Sequence, residues 1–322
     1  MSKNGVWIII GIALILIGSL IFIAVMKNNH WNFTALGTQK YETNTYSIHE
    51  SFENIHIRTV TTDIELLPAT DGFAKVVCFE SDRQHHSVTV KNGILTVTLT
   101  DEAQKWYHHI GITVKTPKIT VYLPEEAYTS LVIETTTGDT NLSHPFRFQS
   151  AEISCTTGDI ECKISASDSM KLKTTTGDID VKGVSVGETD ISVNTGDIKL
   201  SEVTCQSDVH IHLGTGDAAL SDVSCKNLTA KGNTGDFAMD NVIAAEKFSV
   251  TTNTGDIFFQ RCDAASLFMK ANTGDIRGSL LSEKIFITKT TTGSVRVPST
   301  ASGGTCELIT GTGDITVTIK SN

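Results

Sequence analysis

The chain has 322 residues and a net charge of −10, with 39% hydrophobic and 19% charged residues. This composition belongs to a globular protein and excludes a disordered one, and the acidic balance argues against binding nucleic acid or anionic lipid through its faces. Only five Pro, 25 Gly and abundant Thr and Val favour strands over helices.

The first predicted element is an apolar helix over residues 5–26, which follows an N-terminal tail at residues 1–4. The segment GVWIIIGIALILIGSLIFIAVM contains no charged residue, and as a helix it rises roughly 33 Å, enough to cross a bilayer. Because it is longer than the apolar run of a typical signal peptide, we expect an uncleaved single-pass anchor. Lys3 and the free amine precede it, which predicts a cytoplasmic N-terminus and an extracytoplasmic C-terminal domain in the cell membrane.

Next come a polar stretch and a less regular set of strands. We interpret residues 27–45 as a juxtamembrane linker and residues 46–131 as an N-terminal β cap for the repeats that follow. The segment NIHIRTVTTDIELLP (Asn54 to Pro68) resembles a degenerate repeat. The segment SVTVKNGILTVTL (Ser87 to Leu99) contains an Asn-Gly turn between alternating strands, a strong hairpin signal.

Residues 132–322 are organised by a repeated turn, T-G-D or T-G-S, that recurs every 19 or 20 residues. The turn glycines are Gly138, Gly158, Gly177, Gly196, Gly216, Gly235, Gly255, Gly274, Gly293 and Gly313. Ten copies at a nearly fixed spacing predict a stacked repeat architecture.

The residues between these turns alternate in polarity. Ile179 and Val181 follow one turn, and Met170 and Leu172 lead into it, a period of two that indicates short strands. We therefore predict an all-β fold, a β-solenoid of about ten 19–20-residue rungs, with neighbouring rungs about 4.8 Å apart. Serial stacking would leave the last strand, DITVTIK, as an unpaired edge open to self-association.

The T-G-D turn is interpreted as a structural motif. Glycine permits the positive φ of a tight bend, Asp accepts hydrogen bonds from nearby amides, and the Thr before each glycine is expected to point inward. The alternative is a calcium ladder, because calcium prefers carboxylate oxygens and the Asp residues would form a column. Its candidate ligands are Asp159, Asp178, Asp197, Asp217, Asp236, Asp256 and Asp275.

Other chemistry is sparse. The seven cysteines fit inward strand positions rather than a disulfide framework, although Cys205 and Cys225 are expected to stack on adjacent rungs. The histidine pairs His85/His86, His108/His109 and His210/His212 have no Cys or carboxylate at a metal-site spacing, so we predict no metal. Because no nucleophile elbow, P-loop or H-E-x-x-H occurs, we predict no catalytic or cofactor-binding residue, no cofactor and no enzyme.

The order of these segments, from IHIRTVTTDIELLP through NGILTVTL and ITVYLP to the serial T-T-G-D-I repeats, resembles the bacterial putative-adhesin family of β-strand-repeat proteins, a domain of unknown function. The resemblance covers roughly Tyr46 to Lys320 and implies a membrane-anchored cell-envelope protein. We hypothesise a non-catalytic scaffold or adhesin-like surface that binds a protein or another envelope component. The alternatives are a polysaccharide-binding or polysaccharide-cleaving solenoid and a cytoplasmic-facing regulator of an envelope stress response.

Overall fold

The structure, a computed structural model, describes residues 3–28, 31, 40–81, 84–100 and 116–320. One helix, α1 (Lys3–Asn28), precedes all the strands. The N-terminal strands are β1 (Tyr41–Ser47), β2 (Asn54–Arg58), β3 (Asp63–Pro68), β4 (Lys75–Ser81), β5 (His86–Lys91), β6 (Ile94–Leu99) and β7 (Lys118–Leu123).

The repeat strands follow. The first eight are β8 (Ala127–Thr137), β9 (Thr140–Leu142), β10 (Arg147–Thr157), β11 (Ile160–Cys162), β12 (Ser165–Thr176), β13 (Ile179–Thr195), β14 (Ile198–Cys205) and β15 (Asp208–Thr215). The last eight are β16 (Ala218–Thr234), β17 (Phe237–Thr254), β18 (Ile257–Thr273), β19 (Ile276–Leu280), β20 (Lys284–Thr292), β21 (Val295–Arg296), β22 (Gly304–Thr312) and β23 (Ile315–Ile319).

Helix α1 confirms the predicted apolar segment. Its span Gly11–Asn28 has a mean hydropathy of 2.1 and is long and apolar enough to cross a membrane. Length and composition alone do not separate an anchor from a signal sequence, since both pass the same test.

The repeat strands stack in parallel as a β-solenoid, as predicted. Each residue lies beside its equivalent one rung away, so that Ile160 pairs with Ile179 and Ile179 with Ile198. This register follows from the sequence period, because a shift of one residue would move every apolar side chain to the solvent face. The inward residues of both strands of each rung form one continuous core.

A second bend lies opposite the T-G-D turn, and in five successive rungs it contains one residue with positive φ. These residues are Gly183, Glu202, Asp222, Asn241 and Arg261, with φ between 51° and 67°. A non-glycine residue with positive φ is uncommon, and here stacked neighbours support it. Asn241 Nδ2 donates to Asp222 Oδ1 over 2.7 Å, and the Arg261 guanidinium contacts Asp240 on the preceding rung.

Two large core residues each lie beside a glycine, which leaves room for their rings. A Cβ on Gly278 would lie 2.5 Å from the ring of Phe259, its partner on the preceding rung. A Cβ on Gly232 would similarly lie 2.6 Å from the ring of Phe237. Because interiors are packed to crystal-like density, these glycines create the volume that the two buried phenylalanines fill.

The expectation that the Thr before each turn glycine points inward is wrong. All ten of these residues, such as Thr176, are exposed, because the chain begins to turn before the glycine and leaves the alternating register. The inward position is two residues earlier and is occupied by Thr135, Thr174, Thr252 and Thr310 in four rungs. In three of these rungs the hydroxyl donates to a glycine carbonyl on the neighbouring rung, as from Thr310 to Gly274 over 2.8 Å, whereas Thr135 donates to the carbonyl of Thr137.

Both ends of the solenoid depart from serial stacking. At the C-terminal end β22 and β23 insert between β18–β19 and β20–β21, so the last strand of the chain is not the edge. The inserted rung places Cys306, Leu308, Ile315 and Val317 fully inside, whereas β20 offers the half-buried Phe286 and Thr288. The more apolar rung is therefore the buried one, and the prediction of an open C-terminal strand is corrected.

At the other end, β6 and β7 lie outside β2 and β3, although they follow them in sequence. Strand β5 then pairs with β6 in antiparallel orientation, and β4 pairs in the same way with both β7 and β1. Antiparallel strands thus end the parallel stack on this side.

The close approach at the T-G-D turn generates the first prediction. A Cβ on Gly177 would lie 2.2 Å from the carbonyl oxygen of Gly158, at φ +135°, whereas a Cβ on Gly183 would meet nothing within 4 Å, at φ +67°. We expect Gly177→Ala to lower the free energy of unfolding by about 3 kcal/mol or more and Gly183→Ala by about 1 kcal/mol. Urea denaturation of both variants checks this, and equal losses would contradict the steric account.

Candidate functional site

The Asp residues of the T-G-D turns form a continuous hydrogen-bonded column along one edge of the solenoid. In each rung the backbone N–H of Asp donates to Oδ1 of the Asp on the preceding rung, as from Asp197 to Asp178 and from Asp217 to Asp197, both over 2.8 Å. We call this set the Asp column: Asp63, Asp139, Asp159, Asp178, Asp197, Asp217, Asp236, Asp256, Asp275 and Asp314.

The column also explains the one turn that lacks Asp. The order of the last rungs makes Ser294 the final donor, and its N–H binds Asp314 Oδ1 over 2.7 Å. Since no described rung lies beyond it, no acceptor is needed at this position. The hydrogen bond from Ser294 also lowers the pKa of Asp314, with Arg277 and Arg296 contributing.

Backbone N–H groups thus stabilise the negative charges of the Asp column through hydrogen bonds. One oxygen of each acceptor Asp is used by the next rung, which gives the column a structural role independent of any cation. The shallow space beside Asp159, Asp178 and Asp197, about 360 Å³, opens to solvent. Calcium binding at these residues stays the alternative to this structural role.

A second surface feature surrounds Phe258, an aromatic residue on the outward face of β18. Its side chain is exposed and stands next to Ala238, which in turn pairs with Ala219, so two small residues form a notch between Phe258 and Lys199. The notch has a volume of about 210 Å³. The outward pair His210 and His212 lies elsewhere, on β15, and His108 and His109 lie outside the described residues.

The free edge at the C-terminal end is the third feature. We call β20 and β21 the distal rung, because within the described residues each pairs with only one neighbouring strand. Ile285 and Ile287 point outward from this rung and are 43% and 53% exposed, whereas Val295 lies on the inward side, in register with the buried Ile315, and is 41% exposed at the open end of the stack. The rung is held from within by Lys284, whose buried Nζ lies 2.6 Å from Asp263 Oδ1. A firmly held strand therefore presents apolar side chains at an unpaired edge.

The most polar part of the core lies among the N-terminal strands. Cys78 and Glu80 are two apart on β4 and so face the same side, and His86 begins β5 and packs against them. Thr59 and Thr62 belong to the degenerate first turn, in which Thr62 replaces glycine. We call Thr59, Thr62, Cys78, Glu80 and His86 the Glu80–His86 cluster, and every member is buried.

The hydrogen bonds of the cluster satisfy the Glu80 carboxylate on both oxygens. Oε2 accepts from the backbone N–H of His86 over 2.8 Å and lies 2.7 Å from its Nδ1. Oε1 accepts from Asn44 Nδ2 over 2.8 Å. On the far side of the imidazole, Nε2 lies 3.0 Å from Thr59 Oγ1, which lies 2.9 Å from Thr62 Oγ1. The cluster is a continuous relay from Thr62 to Glu80.

Thr59 Oγ1 donates its proton to Thr62 Oγ1, so its lone pairs are available to accept from Nε2–H of His86. On the other side of the ring, Nδ1 faces the Glu80 carboxylate. The order of hydroxyl, imidazole and carboxylate is that of a catalytic triad. However, Thr59 is only 4% exposed, so no substrate carbonyl can reach its oxygen.

The same geometry sets the acidity of the cluster. Burial alone would raise the pKa of Glu80, but hydrogen bonds from His86 and Asn44 outweigh it and hold the pKa below its usual value. Burial, reinforced by the Glu80 charge, raises the pKa of the Cys78 thiol to about 12. The carboxylate is therefore ionised next to a neutral thiol.

One ligand atom each from Cys78, Glu80 and His86 lies within 4.8 Å of the other two, so these residues can hold a metal ion. The prediction of no metal at His85 and His86 is based on the lack of a Cys or carboxylate at a metal-site spacing from this pair. The missing signal was the C-x-E pattern on β4, because alternation places both side chains on one face. All seven cysteines are free and buried, including Cys205 and Cys225.

A protein-family model described as Toastrack DUF4097 matches residues 52–217 and, a second time, residues 206–322. The two matches together span the N-terminal strands from Phe52 onward and all of the repeat strands. They confirm the resemblance to a β-strand-repeat domain of unknown function. A comparison with curated proteins gives no significant match.

Three crystal structures illustrate the similarity. A putative adhesin from Bacteroides fragilis is 18% identical, covers 74% of this chain and 97% of its own, and gives a TM-score of 0.44. A putative lipid binding protein from Parabacteroides distasonis is 15% identical, with 75% and 98% covered and a TM-score of 0.46. A putative adhesin from the same species is 14% identical, with 75% and 98% covered and a TM-score of 0.47. Similarity at this level does not indicate what the present chain binds.

The acidity of Glu80 generates the second prediction. A carboxyl whose pKa is lowered by folding stabilises the fold above its unfolded pKa and loses that contribution as the pH falls through the folded value. The surrounding titratable groups are Glu42, Tyr46, Cys78, His85 and His86. We expect Glu80→Gln to cost about 2 kcal/mol at neutral pH and progressively less below about pH 4.

Thermal unfolding of the wild type and Glu80→Gln across this pH range provides the measurement. Glu152→Gln is the matched control, because Glu152 is an exposed residue whose carboxylate forms an ion pair with Lys171 at 3.3 Å. A constant difference between wild type and Glu80→Gln at every pH would show that Glu80 is not ionised in the fold.

Proposed function

The chain belongs to the Toastrack DUF4097 family, and we propose that it is a non-catalytic, membrane-anchored β-solenoid that serves as an interaction surface at the cell envelope. The exposed apolar edge of the distal rung is the observation that carries this proposal. The sealed position of the Glu80–His86 cluster supports a non-catalytic role, since its triad-like atoms are shielded from substrate.

Anchoring is assigned to α1, whose exposed apolar side chains would face lipid rather than water. The positive charge of Lys3 and the free amine before the apolar run supports a cytoplasmic N-terminus and a solenoid on the outer side of the membrane. The opposite orientation would instead suit a cytoplasmic-facing regulator.

The partner assigned to the distal rung is a second copy of this chain. An unpaired strand recruits another strand through its free N–H and C=O groups. Antiparallel pairing of two β20 strands centred on Phe286 would place Ile285 of each copy opposite Ile287 of the other. Such an interface is self-complementary, as a twofold dimer requires, and covers the exposed isoleucines.

A polysaccharide is the second candidate ligand, and the notch beside Phe258 favours it. An exposed ring next to two alanines offers a flat apolar face, with Lys199 and Asp240 within the same notch as polar partners. Phe258 is the one aromatic residue among those that line the notch, which makes the surface smaller than a sugar chain would need. Binding of labelled glycans that is lost in Phe258→Ala would support this alternative.

The orientation of the chain in the membrane can be tested by cysteine labelling, because the seven native thiols are buried and should not react. We expect a membrane-impermeant maleimide to label Lys182→Cys, an exposed position, on intact cells, while the wild type stays unlabelled because its seven cysteines are buried. Lys3→Cys should react only after permeabilisation. Labelling of Lys3→Cys on intact cells and protection of Lys182→Cys would place the solenoid in the cytoplasm.

Self-association can be tested on the full chain in detergent by light scattering across a range of concentrations. We expect a dimer that Ile285→Lys combined with Ile287→Lys converts to a monomer, because charges at the edge block strand pairing. Phe258→Lys is the matched control, since Phe258 is 43% exposed, as is Ile285, but lies three rungs away along the stack. A monomeric wild type, or a dimer unaffected by the double substitution, would refute this partner.

A further inference from the structure

Three ligand types of different chemistry converge in the N-terminal strands, away from the surfaces assigned to interaction. Cys78 and Glu80 come from β4 and His86 from β5, and their ligand atoms lie within 4.8 Å of one another. We propose that Cys78 Sγ, the Glu80 carboxylate and the His86 imidazole bind one transition-metal ion of the Zn²⁺ class.

The donor set selects the class of ion. Thiolate and imidazole are ligands that Zn²⁺ prefers, and a carboxylate completes a three-residue set that leaves a fourth position for another oxygen donor. Magnesium and calcium need more oxygen ligands than one carboxylate provides. The donor set of the Glu80–His86 cluster is therefore unsuited to Mg²⁺ and to Ca²⁺, the ion considered for the Asp column.

The hydrogen bonds already present resemble the outer support of a metal ligand. His86 Nδ1 lies 2.7 Å from Glu80 Oε2, and a cation would take the place of the proton between them. Binding would also release the proton of the Cys78 thiol to solvent, because the thiolate is the metal ligand. His86 Nε2 would then be free to donate to Thr59 Oγ1 at 3.0 Å, which orients the ring. Asn44 holds the other oxygen of Glu80.

The cluster differs from the surroundings of the other thiols. Within the described residues, Cys78 is the cysteine that lies together with both a histidine and a carboxylate in ligating reach. Cys162, by comparison, is fully buried and has Met170 Sδ at 3.9 Å. A small buried cysteine in the solenoid packs as an apolar residue, whereas Cys78 completes a polar set.

The position of the cluster gives the ion a structural role. Strands β4 and β5 are antiparallel additions outside the parallel stack, and Thr59 belongs to the first turn of that stack. An ion that joins β4 to β5 would fasten the terminal strands to each other and, through Thr59, to the solenoid. Metal binding would therefore stabilise this end by mass action, independently of any partner at the distal rung.

The test uses the full chain, purified in detergent with an affinity tag that contains no histidine run, stripped with chelator and reloaded with Zn²⁺ or Co²⁺. We expect one ion per chain by elemental analysis and a thiolate-to-cobalt charge-transfer absorption. Cys78→Ser and His86→Gln should each weaken binding at least tenfold and abolish or alter this absorption. Cys162→Ser, the matched control, should bind as the wild type does.

X-ray absorption at the zinc edge of the wild type gives a measurement that needs no variant to fold. We expect one sulfur and otherwise nitrogen and oxygen ligands. The proposal would be overturned by a wild type that binds no stoichiometric ion, by a shell without sulfur or with several sulfurs, or by binding that survives in both Cys78→Ser and His86→Gln. Equal occupancy by Mg²⁺ or Ca²⁺ in competition with Zn²⁺ would also overturn it.

Discussion

At every T-G-D turn the backbones of adjacent rungs approach so closely that a Cβ on the glycine would overlap a carbonyl of the neighbouring rung. At Gly158, Gly177 and Gly196 this Cβ would lie about 2 Å from the carbonyl oxygen. Glycine permits this contact, and the following Asp uses it, because Oδ1 then reaches the N–H of the next Asp at 2.6–3.0 Å. The turn fixes the distance between rungs, and this distance in turn aligns the inward side chains in register. Core packing and the Asp column are thus two consequences of one close contact.

A repeat of this kind can add rungs indefinitely, so the stack stops only where the sequence departs from the repeat. At one end the column stops at Ser294, which donates but offers no carboxylate to a further rung, and the distal rung exposes Ile285 and Ile287. At the other end antiparallel strands and a buried polar cluster stop the parallel pairing. The features that suit binding, an open strand edge and a convergent set of ligands, both occur where the repeat is interrupted.

The solenoid, its rung length and its apolar helix could be predicted from the sequence, because period and alternation are local properties. Thr176 could not be placed correctly, since alternation does not show where a strand begins to turn. The order of the last rungs depends on which whole rung has the more apolar inward side chains. The rung that contains Leu308 lies within the stack, and the rung that contains Ile287 lies at its end. The Glu80–His86 cluster depends on contacts between strands far apart in sequence. The spacing of His86 from Thr59 does not predict that their side chains are in contact.

The assignment of the distal rung as the binding edge rests on the inserted position of β22, which cross-linking can measure directly. Ser266 Oγ and Thr305 Oγ1 lie 3.1 Å apart on adjacent strands. The pair Ser266→Cys and Thr305→Cys should therefore form a disulfide under mild oxidation, while Ser266→Cys with Ile285→Cys should not. The opposite result, a cross-link to position 285 and none to position 305, would mean serial stacking and would make the C-terminal strand the free edge.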